Sequence, residues 1–535
     1  MTSYPAARGR RGGNKKRWWK IALIIAVVVV GGAFAVYKIW LSPKPEEKAA
    51  SQLQFDQTVT DEEQHIIRDA VKNQHKTYDG TIDASVQTAT EVTQTSSTLS
   101  AYVPATDVYN TRQGVSKEEL ANLDVYVAQN TNDIVRQAIA EAIGVSNDNL
   151  KPLASATDIP DGTIAFIPAN ELNANIKLLS LDGNYYLDKF TSGAIFRQAK
   201  FNGQDSANLN DLILNTLPNK DQTLKVNMSG VTALTRGMIK KLPSVGNASY
   251  FSEKIGQFLA DADITHVSNE VSFKEGCTYS YSVFCSPPEM IEALKSSGVD
   301  LVEITGNHNN DVGSQSNTDT INQYHDLGWA TFGGGLNAAE AAKPFVSDQK
   351  GSKVAFLGYN FADSPGSGAI ATSDDAGANG WNAEKVKTDI AAAKEQSNFV
   401  IVDIQFWECY SYPNGYIEFP ECDVPIGQQS EVFRQAVDFG ADMVIGSSAH
   451  QPQTYEVYKG KPIYYGLGNL YFDQVQWPGT ERGIILTHYF QNGKLAQTKL
   501  TPTVYHSELQ TEVMNSEDAT YLLDRLKTAR TSAGL

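Results

Sequence analysis

Four side chains able to do chemistry stand where apolar segments of this chain end. Asn307 and His308 follow one short apolar run, and Glu270 and His450 follow two others. Ligands of open α/β sheets bind at the carboxyl ends of the strands, so we expect these side chains to share one cleft. Carboxylate, amide oxygen and imidazole groups bind cations, and an imidazole also transfers protons. The pattern therefore predicts a metal-binding or acid–base site at one sheet edge.

The segments that position this site are typical of an α/β fold. Seven apolar runs indicate buried strands, at residues 224–228, 264–267, 301–305, 354–359, 399–406, 443–445 and 463–465. Helical patterns lie between several of them, for example at residues 382–397 and 428–439. Continuous apolar strands joined by helices predict a sheet that is covered on both faces.

Six motifs, in order along residues 225–475, resemble those of the capsule-synthesis CapA family, known from poly-γ-glutamate production. They are the glycine loop 230–237, Ser-Asn-Glu at 268–270, Gly-Asn-His at 306–308 with Asp311, Gln-Phe-Trp-Glu at 405–408, the segment 446–453, and Leu-Gly-Asn at 467–469. The resemblance implies an α/β fold with a metallophosphoesterase-like layered domain. A membrane helix and a smaller α/β module are expected to precede that domain.

The same resemblance implies a role for each matching residue. The implied catalytic groups, with the first as proton donor, are His308, Asp311 and Glu408. The implied ligands of a divalent metal are Glu270, Asn307 and His450. The implied substrate-binding residues are Asn269, Arg236, Gln405, Ser448, Gln453 and Asn469.

Three positions depart from the family pattern and weaken its two-metal site. Val231 stands where the family has Asp, and Gln405 and Ser448 each stand where it has His. Valine cannot bind a cation, and neutral oxygen donors suit zinc or manganese less well than imidazole does. One hard cation is an alternative, and a degenerate site without metal is another. His308 could instead cap its strand, and Asp311 could form an Asx-turn.

The amino terminus has the pattern of a membrane anchor. Residues 1–20 contain seven Arg or Lys and no acid, which leaves a charge of −24 on the rest of a chain whose total is −17. Residues 21–37 carry no charge and are flanked by lysines and tryptophans, which favours a transmembrane helix over residues 21–40. The alternative is a signal peptide cleaved near Ala33-Phe34-Ala35.

These features predict the order of domains. A basic cytoplasmic tail (1–20) and the transmembrane helix (21–40) precede a linker or stalk (41–100). An α/β module that weakly resembles periplasmic binding proteins (101–222) leads to the CapA-like domain (223–510) and a C-terminal helix (511–535). The positive-inside rule then predicts a single-pass protein of the cell membrane with an extracytoplasmic body.

Four cysteines are expected to form two local disulfide bonds, consistent with that location. The short loops favour pairing Cys277 with Cys285 and Cys409 with Cys422. Four reduced thiols are the alternative, and no Cys-x-x-Cys spacing indicates a zinc site.

Two functions of different class follow from the sequence. The first is capsule or envelope-polymer synthesis or export, with a polyanionic polymer and an export machinery as partners and metal-dependent hydrolysis as its chemistry. The second is binding of an envelope ligand without catalysis, in a cleft that has lost its metals. The acidic body argues against nucleic acid as a partner.

Overall fold

The computed structural model describes residues 53–73, 81–92, 97–203, 217–363, 365–406, 426–474 and 476–535. These described residues fall into two compact units, which lie within Met1–Gln87 with Ala199–Leu214 and within Thr88–Gln198 with Asn215–Leu535. The predicted transmembrane helix at residues 21–40 lies outside the described residues. Within the described ranges, no helix combines the length and the apolar character needed to cross a membrane.

The smaller unit contains regular structure within the stretch expected to be a stalk. Strand β1 (Leu53–Phe55) pairs in parallel with the first residues of β2 (Ile82–Glu91). Helix α1 (Asp61–Asn73) lies between them in sequence. A capping box begins this helix, because Thr60 N–H donates to Glu63 Oε2 and Glu63 N–H donates to Thr60 Oγ1.

In the larger unit, the module before the candidate site is a mixed sheet with short helices. Its strands are β3 (Thr98–Asp107), β4 (Gly114–Val115), β5 (Val125–Ala128), β6 (Leu150–Leu153), β7 (Ile164–Pro168), β8 (Ile176–Leu178), β9 (Ser180–Leu181) and the part of β10 (Ser192–Asn202) before Ala199. Its helices are α2 (Lys117–Leu120), α3 (Asp133–Ile143) and α4 (Tyr186–Lys189). The strand order is β10-β3-β7-β5-β6, and β8 also pairs with β3.

Two larger sheets carry the candidate site. The first has the order β14-β13-β12-β11-β24-β25-β26, with β23 also paired to β11. Its strands are β11 (Thr223–Ala233), β12 (Ile264–Asn269), β13 (Leu301–Glu303), β14 (Ala330–Phe332), β23 (Asn469–Phe472), β24 (Arg482–Gln491), β25 (Lys494–Tyr505) and β26 (Thr511–Val513).

The second sheet has the order β16-β17-β19-β20-β22-β21. Its strands are β16 (Phe345–Gln349), β17 (Ser352–Asn360), β19 (Phe399–Gln405), β20 (Met443–Ser447), β21 (Tyr455–Tyr458) and β22 (Lys461–Tyr464). A small ribbon pairs β15 (Gly334–Gly335) with β18 (Gly377–Ala378).

Helices cover the outer face of each of these two sheets, as the apolar strands predicted. On the first sheet they are α5 (Gly237–Val245), α6 (Gly256–Ala260), α7 (Ile291–Lys295) and α8 (Ser314–Asp326), and on the second they are α10 (Ala383–Gln396) and α11 (Ile426–Asp438). Helix α9 (Ala338–Ala341) contacts the small ribbon, and α12 (Ser516–Ala533) packs into the core between the sheets. Buried side chains of the first sheet, such as Leu301 and Phe332, share one core cluster with Phe356 and Ile401 of the second. The two sheets therefore face each other, and the predicted α/β class is confirmed.

The backbones of the two sheets approach each other closely where two glycines meet. A Cβ on Gly333 would lie 2.9 Å from the Cα of Gly358, and one on Gly358 would lie 2.6 Å from the Cα of Gly333. Asn379 links the two glycines by hydrogen bonds. Its backbone N–H donates to Gly333 O and its side-chain amide donates to Gly358 O, each at 2.9 Å. Only residues without a side chain fit this approach.

Candidate functional site

The candidate site lies at the carboxyl ends of parallel strands in both sheets. Strand β12 ends at Asn269, β13 at Glu303, β19 at Gln405 and β20 at Ser447. Strands β12 and β13 are parallel, as are β19 and β20. Parallel strands place their carboxyl ends at the same edge, which is where the sequence predicted a cleft.

Glu270 and His450 lie together at this edge, where the cleft is predicted. Their side chains are 0% and 1% exposed, and His450 Nε2 lies 3.9 Å from Glu270 Oε2. His450 Nδ1 lies 3.0 Å from Asn469 Oδ1. The Asn469 amide nitrogen donates to Gln474 Oε1 and Thr480 O, so its oxygen must accept from the imidazole. In the neutral ring this arrangement gives Nε2 the lone pair, the orientation typical of a metal ligand.

The loop after β13 brings the second histidine to the same edge. A Cβ on Gly306 would lie 2.7 Å from the Cα of Glu270, so only glycine lets this loop lie against Glu270. His308 Nδ1 lies 2.9 Å from Asp311 Oδ2, which also accepts the Phe284 N–H at 2.8 Å. The carboxylate therefore orients the ring, as in an acid–base dyad.

Asn307 is tied to the second sheet by a chain of side-chain hydrogen bonds. Gln405 Nε2 donates to Asn307 Oδ1 at 3.1 Å, and Ser447 Oγ donates to Gln405 Oε1 at 3.3 Å. The amide of Gln405 thus occupies one lone pair of Asn307 Oδ1, the oxygen that the family resemblance assigns to a cation. A carbonyl oxygen has two lone pairs, so this one hydrogen bond does not by itself prevent Asn307 from binding a cation.

Arg236 forms a cationic wall of the site. Its guanidinium carbon lies 4.4 Å from the ring centroid of Phe284 and 5.1 Å from that of Phe472. These two rings also contact the histidines, Phe284 with His308 at 4.6 Å and Phe472 with His450 at 5.1 Å. Nε and Nη1 of Arg236 are buried and have no hydrogen-bond partner among the described residues. Such a guanidinium is suited to an anion.

Backbone strain also marks this site. Arg236 has φ of 49°, Ser448 of 75° and His450 of 54°. Positive φ costs a non-glycine residue roughly 1–3 kcal/mol and persists where the surrounding structure imposes it. Three strained residues at one cleft support a binding or catalytic role for it.

The remaining predicted residues lie in different surroundings. Asn269 is held locally, because its Nδ2 donates to Val271 O at 2.6 Å. The hydroxyl of Ser448 is buried without a hydrogen-bond partner in the part of the chain that the structure describes. Gln453 is 2% exposed and exchanges amide hydrogen bonds with Gln429. Glu408 lies outside the described residues.

The donor set fits one divalent cation better than two. Glu270, Asn307 and His450 supply a carboxylate, an amide oxygen and an imidazole. Val231, in contrast, is 1% exposed and belongs to a small apolar cluster with Phe284, so that position supplies no ligand. The three ligands are a reasonable set for magnesium, manganese or zinc.

One of the two predicted disulfide bonds is present. Cys277 and Cys285 are bonded, and both described cysteines are accounted for by this bridge. The bridge closes the loop that carries Phe284 against His308 and Arg236. The predicted pair Cys409–Cys422 lies outside the described residues.

A group of buried ionisable side chains lies beneath the cleft and is not among the residues predicted from the sequence. It consists of His266, Glu303 and Asp403. The three are almost wholly buried, and one ligand atom from each lies within 4.8 Å of the other two. The sequence does contain one signal for this group: Glu303 and Asp403 each stand inside an apolar segment predicted to be a buried strand. Acidic side chains are rarely fully buried unless they have a partner, so their position indicates a ligand or a shared proton.

Burial changes the protonation of this group. Burial raises the pKa of the Glu303 carboxyl to about 7, with nearby Glu270 adding to the rise. Burial and the neighbouring Glu303 raise the pKa of Asp403 well above its ordinary value. Burial lowers the pKa of the His266 imidazole to about 3. The low-dielectric surroundings thus disfavour every charged form when no cation is bound.

This protonation predicts a pH-dependent stability in protein produced in metal-depleted medium. Unfolded Glu303 releases its proton near its ordinary pKa of 4.5, whereas the folded protein retains it until about 7. Raising the pH across this interval therefore favours unfolding, by up to about 3 kcal/mol. Glu303→Gln should remove this part of the pH dependence. Urea unfolding at pH 4.5, 6 and 8 measures it, and identical slopes in parent and variant would contradict the prediction.

Comparisons with known proteins agree with the six motifs. Residues 225–474 match the family model "Bacterial capsule synthesis protein PGA_cap". "Capsule biosynthesis protein CapA" of Bacillus anthracis is 28% identical over 218 residues, which are 40% of this chain and 50% of that protein. "PGA biosynthesis protein CapA" of Bacillus subtilis (strain 168) is 26% identical over 218 residues, 41% and 54% respectively. The chain spans about half the length of these curated relatives.

The alignment with a solved phosphoesterase structure has a low sequence identity and a low TM-score. The calcineurin-like phosphoesterase YfkN from Bacillus subtilis is 9% identical and aligns with a TM-score of 0.33, over 58% of this chain and 99% of that chain. A TM-score of this size carries no functional argument. The family model and the CapA relatives confirm the resemblance of residues 225–474 to the capsule-synthesis family.

Proposed function

We propose that this protein acts in the synthesis or export of a carboxylate-rich polymer of the cell envelope, such as poly-γ-glutamate. The proposal includes the membrane anchor at residues 21–40, an extracytoplasmic body, and an export machinery as partner. It rests on the capsule-synthesis family match and on the names of the CapA relatives.

The observation that carries the proposal is the guanidinium of Arg236. A body with a charge of −24 repels a polyanion unless positive charge is concentrated at the binding site. Arg236 supplies such a charge between the walls that hold His308 and His450. Its rigid fork matches a carboxylate in geometry.

A divalent cation held by Glu270, Asn307 and His450 would polarise a bound carbonyl or phosphoryl oxygen. The protein's own groups then do the remaining work. Asn469 holds the His450 ring in its orientation, and Asp311 holds His308. His308 would give a proton to a leaving group at its Nε2, and Arg236 would hold the acidic chain. Hydrolysis of the polymer or of a phosphorylated intermediate is the chemistry that this set of groups supports.

A second function, ligand binding without catalysis, is favoured by the altered positions. Val231 packs in an apolar cluster, and Gln405 is bonded to Asn307 rather than offering an imidazole. In this case the cleft would still recognise the acidic polymer through Arg236, but no turnover would occur.

Binding and turnover of poly-γ-glutamate, measured with and without Mn²⁺, test the two functions. The full chain is expected to bind the polymer, and Mn²⁺ should strengthen binding roughly tenfold by bridging carboxylates. Glu270→Gln should abolish this gain and leave the metal-independent affinity nearly unchanged.

Several outcomes distinguish the functions. Chain shortening that His308→Ala abolishes would support the hydrolase, and binding without shortening would support the binder. Failure of the parent protein to bind the polymer in either condition would contradict the proposed function. His325, a histidine on α8 bonded to Thr331, provides the control variant His325→Ala.

A further inference from the structure

The buried group His266, Glu303 and Asp403 lies directly beneath the cleft, between the two sheets. His266 and Glu303 belong to the neighbouring parallel strands β12 and β13, and Asp403 belongs to β19 of the facing sheet. Their exposed fractions are 0%, 0% and 1%. Around them, the space between the sheets is filled by apolar side chains such as Leu301 and Ile401.

The imidazole of His266 gives independent evidence for a ligand. Both of its ring nitrogens are buried and lack a hydrogen-bond partner within the described parts of the chain. Glu303 Oε2 and Asp403 Oδ1 are also buried and also lack a hydrogen-bond partner among the described residues. Buried polar atoms are almost always satisfied, because leaving them without a partner costs free energy. Three such side chains directed at one point indicate a partner that binds all of them.

We propose that His266, Glu303 and Asp403 bind a divalent first-row transition ion, zinc or manganese, between the two sheets. An imidazole and two carboxylates form a nitrogen–oxygen donor set that such ions favour. A neutral imidazole, two carboxylates and one divalent ion sum to zero charge, which suits a site closed to water. This site is distinct from the cleft ligands Glu270, Asn307 and His450.

The protonation of the group is consistent with this assignment. Without a cation, burial raises the pKa of Glu303 to about 7 and raises that of Asp403 as well. A bound ion would remove the reason for both shifts, because it stabilises the ionised carboxylates. The imidazole already favours its neutral form, the one that binds metals, since burial lowers its pKa to about 3.

The position of the ion would couple it to the cleft. Each ligand lies two to four residues before a cleft residue on the same chain segment: His266 before Glu270, Glu303 before Asn307, and Asp403 before Gln405. The ion would thus fix the strand ends of both sheets at once. It would also be shielded from solvent, so it should exchange slowly.

Metal analysis of the purified full chain tests this inference. After expression with added zinc and manganese and dialysis against EDTA, the parent is expected to retain about one equivalent of transition metal. Asp403→Asn and Glu303→Gln keep the side-chain volumes and should each reduce the retained metal to less than about a tenth of an equivalent. His325→Asn changes an exposed histidine on α8 and should retain the parent amount.

Cooperative thermal melting verifies that each variant is folded, and His266→Asn replaces any variant that fails this criterion. A parent that retains no metal would overturn the inference and indicate carboxyl groups that share protons. Retention of the parent amount in both acidic variants would also overturn it. Loss of the metal in Glu270→Gln, with retention in Asp403→Asn, would place the ion in the cleft instead and likewise reject the buried site.

Discussion

Arg236→Ala is expected to weaken binding of poly-γ-glutamate by about a hundredfold or more. The guanidinium lies between two phenylalanine rings, and part of it is buried without a hydrogen-bond partner among the described residues. Removing one member of a desolvated charge pair costs about 2–5 kcal/mol of binding free energy. Isothermal titration calorimetry with a defined oligomer, at two salt concentrations, measures the loss.

Two further variants distinguish a specific role of the Arg236 side chain from a general effect of the protein's net charge. Arg236→Lys keeps the charge but loses the planar fork, so it should recover only part of the affinity. Lys240→Ala removes a nearby cation that lies over the ring of Tyr279, and it should change the affinity less than threefold or so. Equal losses in Arg236→Ala and Lys240→Ala would show that only net charge matters and would refute the role assigned to Arg236.

Phe356→Ala is expected to lower the free energy of unfolding by about 3–5 kcal/mol. Phe356 is fully buried on β17 and contacts the rings of Phe332 and Phe345 at 5.8 and 5.9 Å. The cavity would open between the two sheets, where backbone strands cannot easily collapse into it. Urea unfolding followed by circular dichroism measures the change.

The matched control is another aromatic residue outside the core. Tyr521 on α12 is 53% exposed, so Tyr521→Ala should change the free energy of unfolding by less than about 0.5 kcal/mol. A loss below about 1 kcal/mol in Phe356→Ala would contradict the packing of the two sheets against each other.

The sequence predicted those elements whose signals are local. The helix predicted at residues 382–397 is present as α10 (Ala383–Gln396), and the Asn382 side chain caps its start by accepting the Lys385 N–H at 3.1 Å. The strand predicted at residues 301–305 ends at Glu303 instead. There the Glu303 side chain accepts the N–H of Thr305 at 2.8 Å, which removes that N–H from strand pairing. An apolar pattern cannot reveal such a local hydrogen bond.

The candidate site was predictable only in part, for a related reason. Residues that follow strands, such as Glu270 and His450, were found because strand ends share an edge. The group formed by His266, Glu303 and Asp403 was not found, because its members lie within strands of two different sheets. The packing register between facing sheets is set by tertiary contacts and leaves no periodic signal in one chain.

The close contact between Gly333 and Gly358 limits which substitutions the protein can accept during evolution. A single methyl group at either position would collide with backbone atoms of the opposite sheet, so neither position tolerates gradual change. Val231, Gln405 and Ser448, by comparison, carry side chains, so a substitution there changes the chemical groups of the site and not a contact between two backbones. Such a scaffold can lose or change its chemistry in small steps while its architecture persists. Descendants of this fold could therefore diverge in what they bind long before they diverge in shape.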